Sequence, residues 1–243
     1  MEEDFVRFPF KFELGASLPA SVVYAGPKDS VITIKYMLTA SLVPHLGSDM
    51  DAVSAKQALV IKQLKLKTES IRAIQECAQN IKCSSCILFS SGTSTLRTQL
   101  DNDMYFPSEQ VTVNCEVDNS RCRKGVDSLK VVIQQRIRIH ISADECIDIH
   151  EPVFTQTFDG VAARSSTNGL TKTLTMDLSQ FSHKVSHKCA LEGDEFITAE
   201  RLQPTVDSKF CEIEYSISVE AIISGGCHTN PSTSHSLILI PSP

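Results

Sequence analysis

Basic side chains recur on one face of the segment 128–141, where apolar and polar residues alternate as they do in a β-strand. Arg136 and Arg138 occupy alternate positions, and Lys130 shares their face. A guanidinium group pairs with two phosphate oxygens at once, so this row could bind a phosphorylated peptide or an inositol phosphate headgroup. The alternative is an ordinary solvated face opposite a buried apolar row.

A second group of cations follows the turn residues 118–120 and consists of Arg121, Arg123 and Lys124. Three cations in one turn are a further candidate contact for phosphate. The candidate anion-binding residues are therefore Arg136, Arg138, Lys130, Arg121, Arg123 and Lys124.

The cysteines offer a different chemistry, because Cys83-x-x-Cys86 has the spacing of half a zinc site or of a redox pair. No second pair follows at metal spacing, and the nine cysteines are otherwise scattered. Reduced thiols in a cytosolic protein are the simpler interpretation. The sequence predicts neither a metal nor a cofactor, and a Cys-based metal or redox domain stays an alternative.

Parts of a hydrolytic site, such as His140, His150 and Asp148, also occur in the chain. No G-x-S-x-G elbow, H-E-x-x-H helix or glycine-rich phosphate loop accompanies them. The sequence therefore predicts no catalytic residue and a protein that is not an enzyme.

Charge and hydropathy narrow the class of protein. The 23 Lys and Arg residues stand against 29 Asp and Glu, and the net charge of −6 argues against a nucleic-acid binder. No apolar run approaches the ~20 residues that span a bilayer. The acidic start at 1–4 has no apolar core of a secretory signal. We expect a cytoplasmic chain that does not span a membrane.

The elements that must position these side chains are strands. Runs of β-branched and alternating residues are separated by Gly, Pro, Asn and Asp turns, which predicts an all-β sandwich. Residues 68–81 could instead form a helix, since Ile71, Ile74, Ala78 and Ile81 recur at helical spacing, or a strand–linker–strand passage. The strand-like runs are 31–40, 59–66, 110–117, 128–141, 169–178, 212–223 and 236–240.

A weak internal repeat suggests two related domains. Leu18-Pro19-Ala20-Ser21 precedes a strand that contains Tyr36, and 202–205 (LQPT) precedes a similar strand that contains Tyr215. Both strands follow the pattern I-x-Y-x-[LI]-x-[AV]. The separation of the tyrosines suits tandem domains, of which the first is present only in part.

Several motifs resemble the arrestin family, in its α-arrestin (arrestin-domain-containing) branch. The motifs 8–14 (FPFKFEL), 18–21 (LPAS) and 34–36 (IKY) resemble the second half of an arrestin N-domain. The motifs that resemble the arrestin C-domain are 83–86 (CSSC), Gly92, 105–111 (YFPSEQV), 118–120 (DNS) and 214–219 (EYSISV). Within 105–111, Ser108 replaces the Gly that is usual in the family.

The resemblance implies tandem immunoglobulin-like β-sandwiches with the first sandwich incomplete. Residues 1–80 would form the partial arrestin-N-like β-sandwich and hinge, and 81–243 the arrestin-C-like β-sandwich. The row of Phe8, Phe10, Phe12 and Leu14 is expected in the core of the first.

The function implied by the resemblance is that of a cytosolic adaptor or scaffold in trafficking, endocytosis or signalling. It would bind phosphorylated or unphosphorylated cytoplasmic tails of membrane receptors or transporters, or phosphoinositide headgroups, and be recruited to the plasma membrane or endosomes. A retromer-subunit-like cargo-sorting protein shares the two-sandwich plan and stays an alternative, as does an extracellular adhesion module.

Overall fold

The computed structural model describes residues 7, 9–15, 18–25, 31–43, 52–62, 74–83, 86–102, 104–181, 184–189, 195–200, 202–223 and 229–240. Within these ranges the regular structure is β-strand apart from one 3₁₀ turn at Leu178–Phe181. The strands are β1 (Val22–Ala25), β2 (Val31–Ile34), β3 (Tyr36–Leu42), β4 (Val53–Leu59), β5 (Gln75–Cys83), β6 (Cys86–Leu100), β7 (Met104–Tyr105), β8 (Gln110–Asp118), β9 (Val126–His140), β10 (Cys146–Val161), β11 (Lys172–Asp177), β12 (Lys184–Cys189), β13 (Glu195–Glu200), β14 (Val206–Asp207), β15 (Cys211–Ile222) and β16 (Ser232–Leu239).

Two sheets built from strands between β5 and β16 form a β-sandwich, which we call the second sandwich; β12 and β13 pair with each other in a separate two-stranded sheet. One sheet has the order β11-β8-β6-β5, and the other has the order β10-β9-β15-β16-β7 with β14 added to β15. Every second side chain of β15 is buried, and β8 shows the same alternation. The buried rows of both sheets pack together in one apolar core. The sequence alternates because each sheet has one face in this core and the other face outward. The predicted all-β, immunoglobulin-like architecture is confirmed.

Three polar side chains link the two sheets through this core. The Thr98 hydroxyl on β6 donates to the Thr233 hydroxyl at 2.8 Å, and His235 Nε2 lies 2.7 Å from the same Thr98 oxygen. All three residues are buried. Buried polar groups of this kind are stable only when they are hydrogen-bonded, so the contact fixes the alignment of β6 against β16.

The helix considered for residues 68–81 is wrong from Gln75 onward. Residues 75–83 form β5, which pairs antiparallel with β6. Ile74 is 55% exposed whereas Ile81 is fully buried, so the helical spacing of the apolar residues does not match their burial. Pairing with β6 overrides the local pattern, while 68–73 lie outside the described residues. The expected boundary near residue 80 falls within β5, and the division into 1–80 and 81–243 stays a prediction.

The internal repeat is confirmed by a pair of hydrogen bonds that occurs in both units. We call each pair a hydroxyl clamp. In the first unit the Ser21 N–H donates to the Ile61 carbonyl at 2.7 Å, and the Ile61 N–H donates to the Ser21 hydroxyl at 2.9 Å. In the second sandwich the Thr205 N–H donates to the Leu239 carbonyl at 2.8 Å, and the Leu239 N–H donates to the Thr205 hydroxyl at 3.0 Å. Each clamp ties an entering segment to a later part of its unit, at Leu239 in β16 and at Ile61, two residues beyond the end of β4.

The two tyrosines of the repeat also have equivalent partners. The Tyr36 hydroxyl donates to the Pro19 carbonyl at 2.8 Å, and the Tyr215 hydroxyl donates to the Gln203 carbonyl at 2.7 Å. Tyr36 lies opposite Leu59 on β4, as Tyr215 lies opposite Leu237 on β16. The strand β1 beside β2 therefore corresponds to β14 beside β15, and the hairpin β3–β4 corresponds to β15–β16.

The two copies differ in burial. Tyr215 is buried and also accepts a hydrogen bond from Gln135 Nε2 at 2.6 Å, whereas Tyr36 is half-buried. The expectation that 8–14 form a core is wrong where it can be assessed: Phe10, Phe12 and Leu14 are exposed because no described element packs on them, and Phe8 lies outside the described residues. The first unit thus has the outline of the second with much of its apolar surface uncovered.

Strand β1 packs against the second sandwich. Ala20, Val22 and Tyr24 belong to the same buried cluster as that core. Burial, followed by the nearby Glu151 carboxylate, raises the pKa of Tyr24 to about 12. The contact joins the two units, since Tyr24 comes from the first unit and Glu151 from β10 of the second.

Replacing Tyr215 with Phe should lower the free energy of unfolding by about 1–3 kcal/mol, because the buried amide of Gln135 and the carbonyl of Gln203 lose this partner. The matched change Tyr36→Phe should cost less than about 1 kcal/mol, because water reaches the half-buried site. Urea unfolding of both variants measures the difference. Equal losses would contradict the assigned difference in burial between the two copies.

Candidate anion-binding site

Strand β9 carries three of the predicted site residues on the outer face of its sheet. Antiparallel pairing places Arg138 between Asp148 of β10 and Glu212 of β15. Arg136 lies between His150 and Glu214 in the next outward-facing row. Lys130 lies farther along the strand, between Thr157 and Glu220.

The two arginines of β9 are already paired with carboxylates. Arg136 Nε and Arg138 Nε both lie 3.1 Å from Asp148 Oδ1. Their Nη1 atoms lie 3.6 Å from Glu214 Oε2 and 3.7 Å from Glu212 Oε2, respectively. The hydrogen bond to Asp148 raises the pKa of Arg138. We call Arg136, Arg138, Asp148, Glu212 and Glu214 the charge ladder. An incoming phosphate would have to displace the carboxylates of this ladder from the two arginines.

A cavity of about 240 Å³ adjoins the charge ladder on the same sheet. Its lining mixes both signs of charge with amide and hydroxyl groups, so it does not select for an anion. The lining includes Arg136, His150, Glu214, Gln134, Ser216 and Ser236.

The other predicted cations lie in the turn between β8 and β9. Arg121 and Arg123 are exposed, and Lys124 is partly exposed. Buried Asn119 shapes this turn by donating its side-chain N–H groups to the Lys124 carbonyl at 2.7 Å and the Ala162 carbonyl at 3.1 Å. These two hydrogen bonds connect the turn to the segment that follows β10.

Gly92 of β6 allows the turn to lie directly against the sheet. The Arg123 N–H donates to the Ser91 carbonyl at 2.7 Å, and Gly92 forms a β-bridge with Cys122. Gly92 has φ of 114°, and a Cβ at this position would overlap the carbonyl group of Arg121. Only glycine fits both the dihedral angle and the space.

Arg164 joins this turn although the sequence analysis did not single it out. Its N–H donates to the Cys122 carbonyl at 3.0 Å, and its φ of 58° belongs to the left-handed region. The neighbouring Ser165 carbonyl accepts from the Asn119 N–H at 2.9 Å. No local motif marks Arg164, because only the pairing of distant segments brings it to the turn.

Arg121, Arg123, Lys124 and Arg164 form what we call the basic turn cluster. Among the residues that the structure describes, no carboxylate forms an ion pair with Arg121, Arg123 or Arg164. Asp118 lies close by, but its pKa is lowered mainly by hydrogen bonds from the Ser120 hydroxyl and N–H, and less by Arg121. The arginines of this cluster thus remain available to an anion.

The predicted cations therefore form two groups rather than one site. Ten residues of extended β9 separate Val126, beside the turn, from Arg136, a distance of roughly 33 Å. Lys130 lies on the strand between them. The basic turn cluster and the charge ladder occupy different ends of the sheet.

The residues considered for metal or hydrolytic chemistry are placed as follows. Cys83 and Cys86 are backbone partners at the β5–β6 hairpin, and their side chains lie outside the description. Cys77, Cys115, Cys122, Cys146 and Cys211 are free thiols. Within the described ranges no group of three or more His, Cys, Asp or Glu side chains could hold a metal ion.

The proposed parts of a hydrolytic site have other partners. Asp148 binds Arg136 and Arg138, and His140 Nε2 lies 3.1 Å from Glu212 Oε1. His150 belongs to the wall of the cavity beside the charge ladder.

Replacing Asp148 with Asn should lower the free energy of unfolding by no more than about 1 kcal/mol, because the ladder is partly solvated. The loss should disappear in 1 M NaCl, where the Debye length falls to about 3 Å. Glu145→Gln removes the same charge from an exposed residue outside the ladder and is the matched control. Thermal unfolding at low and high salt provides the measurement, and a loss that persists in 1 M salt would refute the electrostatic assignment.

Replacing Gly92 with Ala should lower the free energy of unfolding by more than about 3 kcal/mol, because strain and overlap with the Arg121 carbonyl act together. Gly169 also has a positive φ, of 86°, but an added Cβ there meets nothing within 4 Å. Gly169→Ala should therefore cost only about 1–2 kcal/mol. Urea unfolding of both variants tests the close approach of the turn, which similar losses would disprove.

Comparison with known proteins agrees with this architecture. The model of the family described as "Arrestin (or S-antigen), C-terminal domain" matches residues 90–243, which include most of the second sandwich and the whole basic turn cluster. No curated protein matches the chain. In the described part of the chain, no helix is both long and apolar enough to cross a bilayer. A match over more than half of the residues shows that this chain belongs to the arrestin family.

Proposed function

We propose that the chain is a non-enzymatic cytoplasmic adaptor that binds cytoplasmic segments of membrane receptors or transporters. Arrestin-type proteins are in general adaptors that act by contact. The observation that supports binding to membrane receptors or transporters is the basic turn cluster, whose arginines are exposed and form no ion pair with described carboxylates. The ligand group at this cluster is phosphate, on a phosphorylated tail or on a phosphoinositide headgroup.

Chemistry favours phosphate at this cluster. Arginine presents a planar fork of N–H donors that matches two phosphate oxygens, and the charge-assisted hydrogen bonds are short and strong. The Asn119 contacts and the close packing at Gly92 hold the turn before binding, so little conformational entropy is lost when a ligand arrives. Such a site binds by position and charge, without catalysis.

The charge ladder is the weaker of the two candidate sites. Binding of phosphate to Arg136 and Arg138 would leave the carboxylates of Asp148, Glu212 and Glu214 without their cations. Phosphate would also be repelled by these acids at short range. We therefore assign the contact with phosphate to Arg121, Arg123, Lys124 and Arg164, and a structural role to the ladder.

The location that follows from this proposal is the cytoplasm, with recruitment to the plasma membrane or endosomes. Recruitment would use the same cluster if phosphoinositides are the ligand, because anionic headgroups attract clustered Lys and Arg. A phosphorylated tail would instead recruit the chain to one class of membrane protein.

The double variant Arg121→Gln/Arg123→Gln should weaken binding of a peptide with clustered phosphoserines by about tenfold or more, since each lost charge-assisted contact contributes about 1 kcal/mol at an exposed site. The control is Arg136→Gln/Arg138→Gln, which removes the same charge from the ladder and should change affinity less than about threefold. Fluorescence anisotropy with the phosphorylated and unphosphorylated peptides provides the measurement.

Vesicles with and without a phosphoinositide distinguish the second source of phosphate. Loss of vesicle binding in the turn variant, with no peptide binding by the parent chain, would assign the site to the membrane headgroup. Equal losses in the turn and ladder variants would reject the assignment to the cluster. If the parent chain binds neither phosphate source, the adaptor proposal loses its site.

A further inference from the structure

The pair Asn168-Gly169 is the only Asn-Gly sequence in the chain, and it lies in the turn that leads into β11. Both residues have positive φ, of 54° and 86°, a conformation that Asn and Gly adopt more readily than other residues. Asn168 is exposed, and a Cβ added at Gly169 would meet nothing within 4 Å. Neither burial nor crowding therefore prevents chemistry at the Asn168 side chain.

The chemistry that this pair permits is deamidation, to which Asn is prone and which a following Gly hinders least because it has no side chain. The backbone nitrogen of Gly169 attacks Cγ of Asn168, and an N–Cγ bond forms. The Cγ–Nδ2 bond breaks, and ammonia leaves with the proton of the Gly169 nitrogen. Water then opens the succinimide ring at either carbonyl group, which gives isoaspartate or aspartate.

The nitrogen that would attack is held by Glu116 of β8. The Gly169 N–H donates to Glu116 Oε1 at 2.9 Å. Hydrogen bonds to a charged group are stronger than those between neutral groups. The nitrogen must also lose its proton to attack, and the neighbouring carboxylate opposes this loss because two negative charges would then lie side by side. The contact with Glu116 should therefore slow deamidation.

Glu116 is itself fixed by a row of charged residues across three strands. Antiparallel pairing places Arg97 of β6 between Glu76 of β5 and Glu116. Arg97 Nη1 lies 3.0 Å from Glu116 Oε2, and Arg97 Nε lies 2.6 Å from Glu76 Oε2. The Glu116 side chain is only 13% exposed, whereas that of Glu76 is 51% exposed. The partly shielded Arg97–Glu116 pair thus keeps a carboxylate directed at Gly169.

We propose that Asn168 is a deamidation site whose rate is controlled by Glu116. While the Arg97–Glu116 pair is closed, the Gly169 nitrogen is bound and Asn168 persists. Opening of this contact releases the nitrogen and starts the conversion of Asn168 to isoaspartate. This site does not depend on the phosphate proposal.

The product would disturb the contact of the turn with β8. The Thr167 N–H donates to the Val117 carbonyl at 3.1 Å, and the Val117 N–H donates to the Thr167 hydroxyl at 3.0 Å. Isoaspartate at position 168 would lengthen the backbone next to these bonds by a methylene group. It would also place a second carboxylate near Glu116. Both changes weaken the attachment of the turn, so the modification would distinguish aged chains from new ones.

The full chain should deamidate at Asn168 at least about tenfold more slowly than an unfolded peptide of residues 164–171, because the bond to Glu116 must first open. Glu116→Ala should deamidate at least about tenfold faster than the parent chain. Glu116→Gln keeps an acceptor without the charge and should react at an intermediate rate. Mass spectrometry of digests, after incubation in mildly alkaline buffer, gives the site and distinguishes isoaspartate from aspartate.

Two controls separate release of the Gly169 N–H from general loss of structure. Glu76→Gln removes the other carboxylate of Arg97, which does not contact Gly169, and should change the rate less than about twofold. Asn119 is an internal reporter, because its buried amide donates to two carbonyl groups and should stay unmodified in every folded variant. Circular dichroism checks that each variant folds, and Glu116→Gln decides the test if Glu116→Ala does not.

The proposal is overturned if the parent chain reacts as fast as the peptide, or if the Glu116 variants react no faster than the parent. An equal acceleration by Glu76→Gln would also overturn it. Aspartate as the sole product would exclude attack by the Gly169 nitrogen, since a succinimide opens to both acids. Equal modification of Asn119 and Asn168 would assign the reaction to general unfolding instead.

Discussion

The architecture depends on a small hydrogen-bonded device that occurs twice. The hydroxyl of a Ser or Thr accepts from the N–H of a residue later in the unit, and the N–H of the same Ser or Thr donates to the carbonyl of that residue. A Tyr hydroxyl donates to the carbonyl two residues before the Ser or Thr. In the first unit these residues are Ser21 and Tyr36, and in the second sandwich they are Thr205 and Tyr215. Each device fixes the register of three segments at once. A one-residue slip would turn every side chain of a strand to the other face, so this register decides which residues of β15 are buried and which face of β9 presents its cations.

The second sandwich then separates its charges into two kinds of surface. Cations that lie in the middle of a sheet acquire carboxylates from both neighbouring strands, as Arg136 and Arg138 do, because antiparallel pairing places acidic residues beside them. In the basic turn cluster, Arg121, Arg123 and Arg164 form no ion pair with a described carboxylate, although Asp118 lies near Arg121. Position in the fold, rather than the number of positive charges, distinguishes a structural ion pair from a candidate binding site.

The sequence was informative where the pattern is local. The alternation of β15 and the repeat around Tyr36 and Tyr215 predicted features that the structure confirms, and the family match confirms the resemblance to arrestins. It failed where distant pairing decides. The apolar residues from Ile74 to Ile81 have helical spacing, but the segment from Gln75 onward is a strand because it pairs with β6. The acids that form ion pairs with the arginines of β9 come from β10 and β15. Arg164 reaches the cluster only through its contact with Cys122, and its neighbouring residues contain no motif that could have identified it.

The proposal that this arrestin-family chain acts by phosphate-dependent contact with membrane proteins can be tested by purification of the chain from its own cells. Its partners are identified by mass spectrometry before and after phosphatase treatment. We predict membrane receptors or transporters among the partners, and their loss on dephosphorylation. A stable set of coat subunits that is indifferent to phosphatase would contradict it and would favour a constitutive cargo-sorting subunit instead.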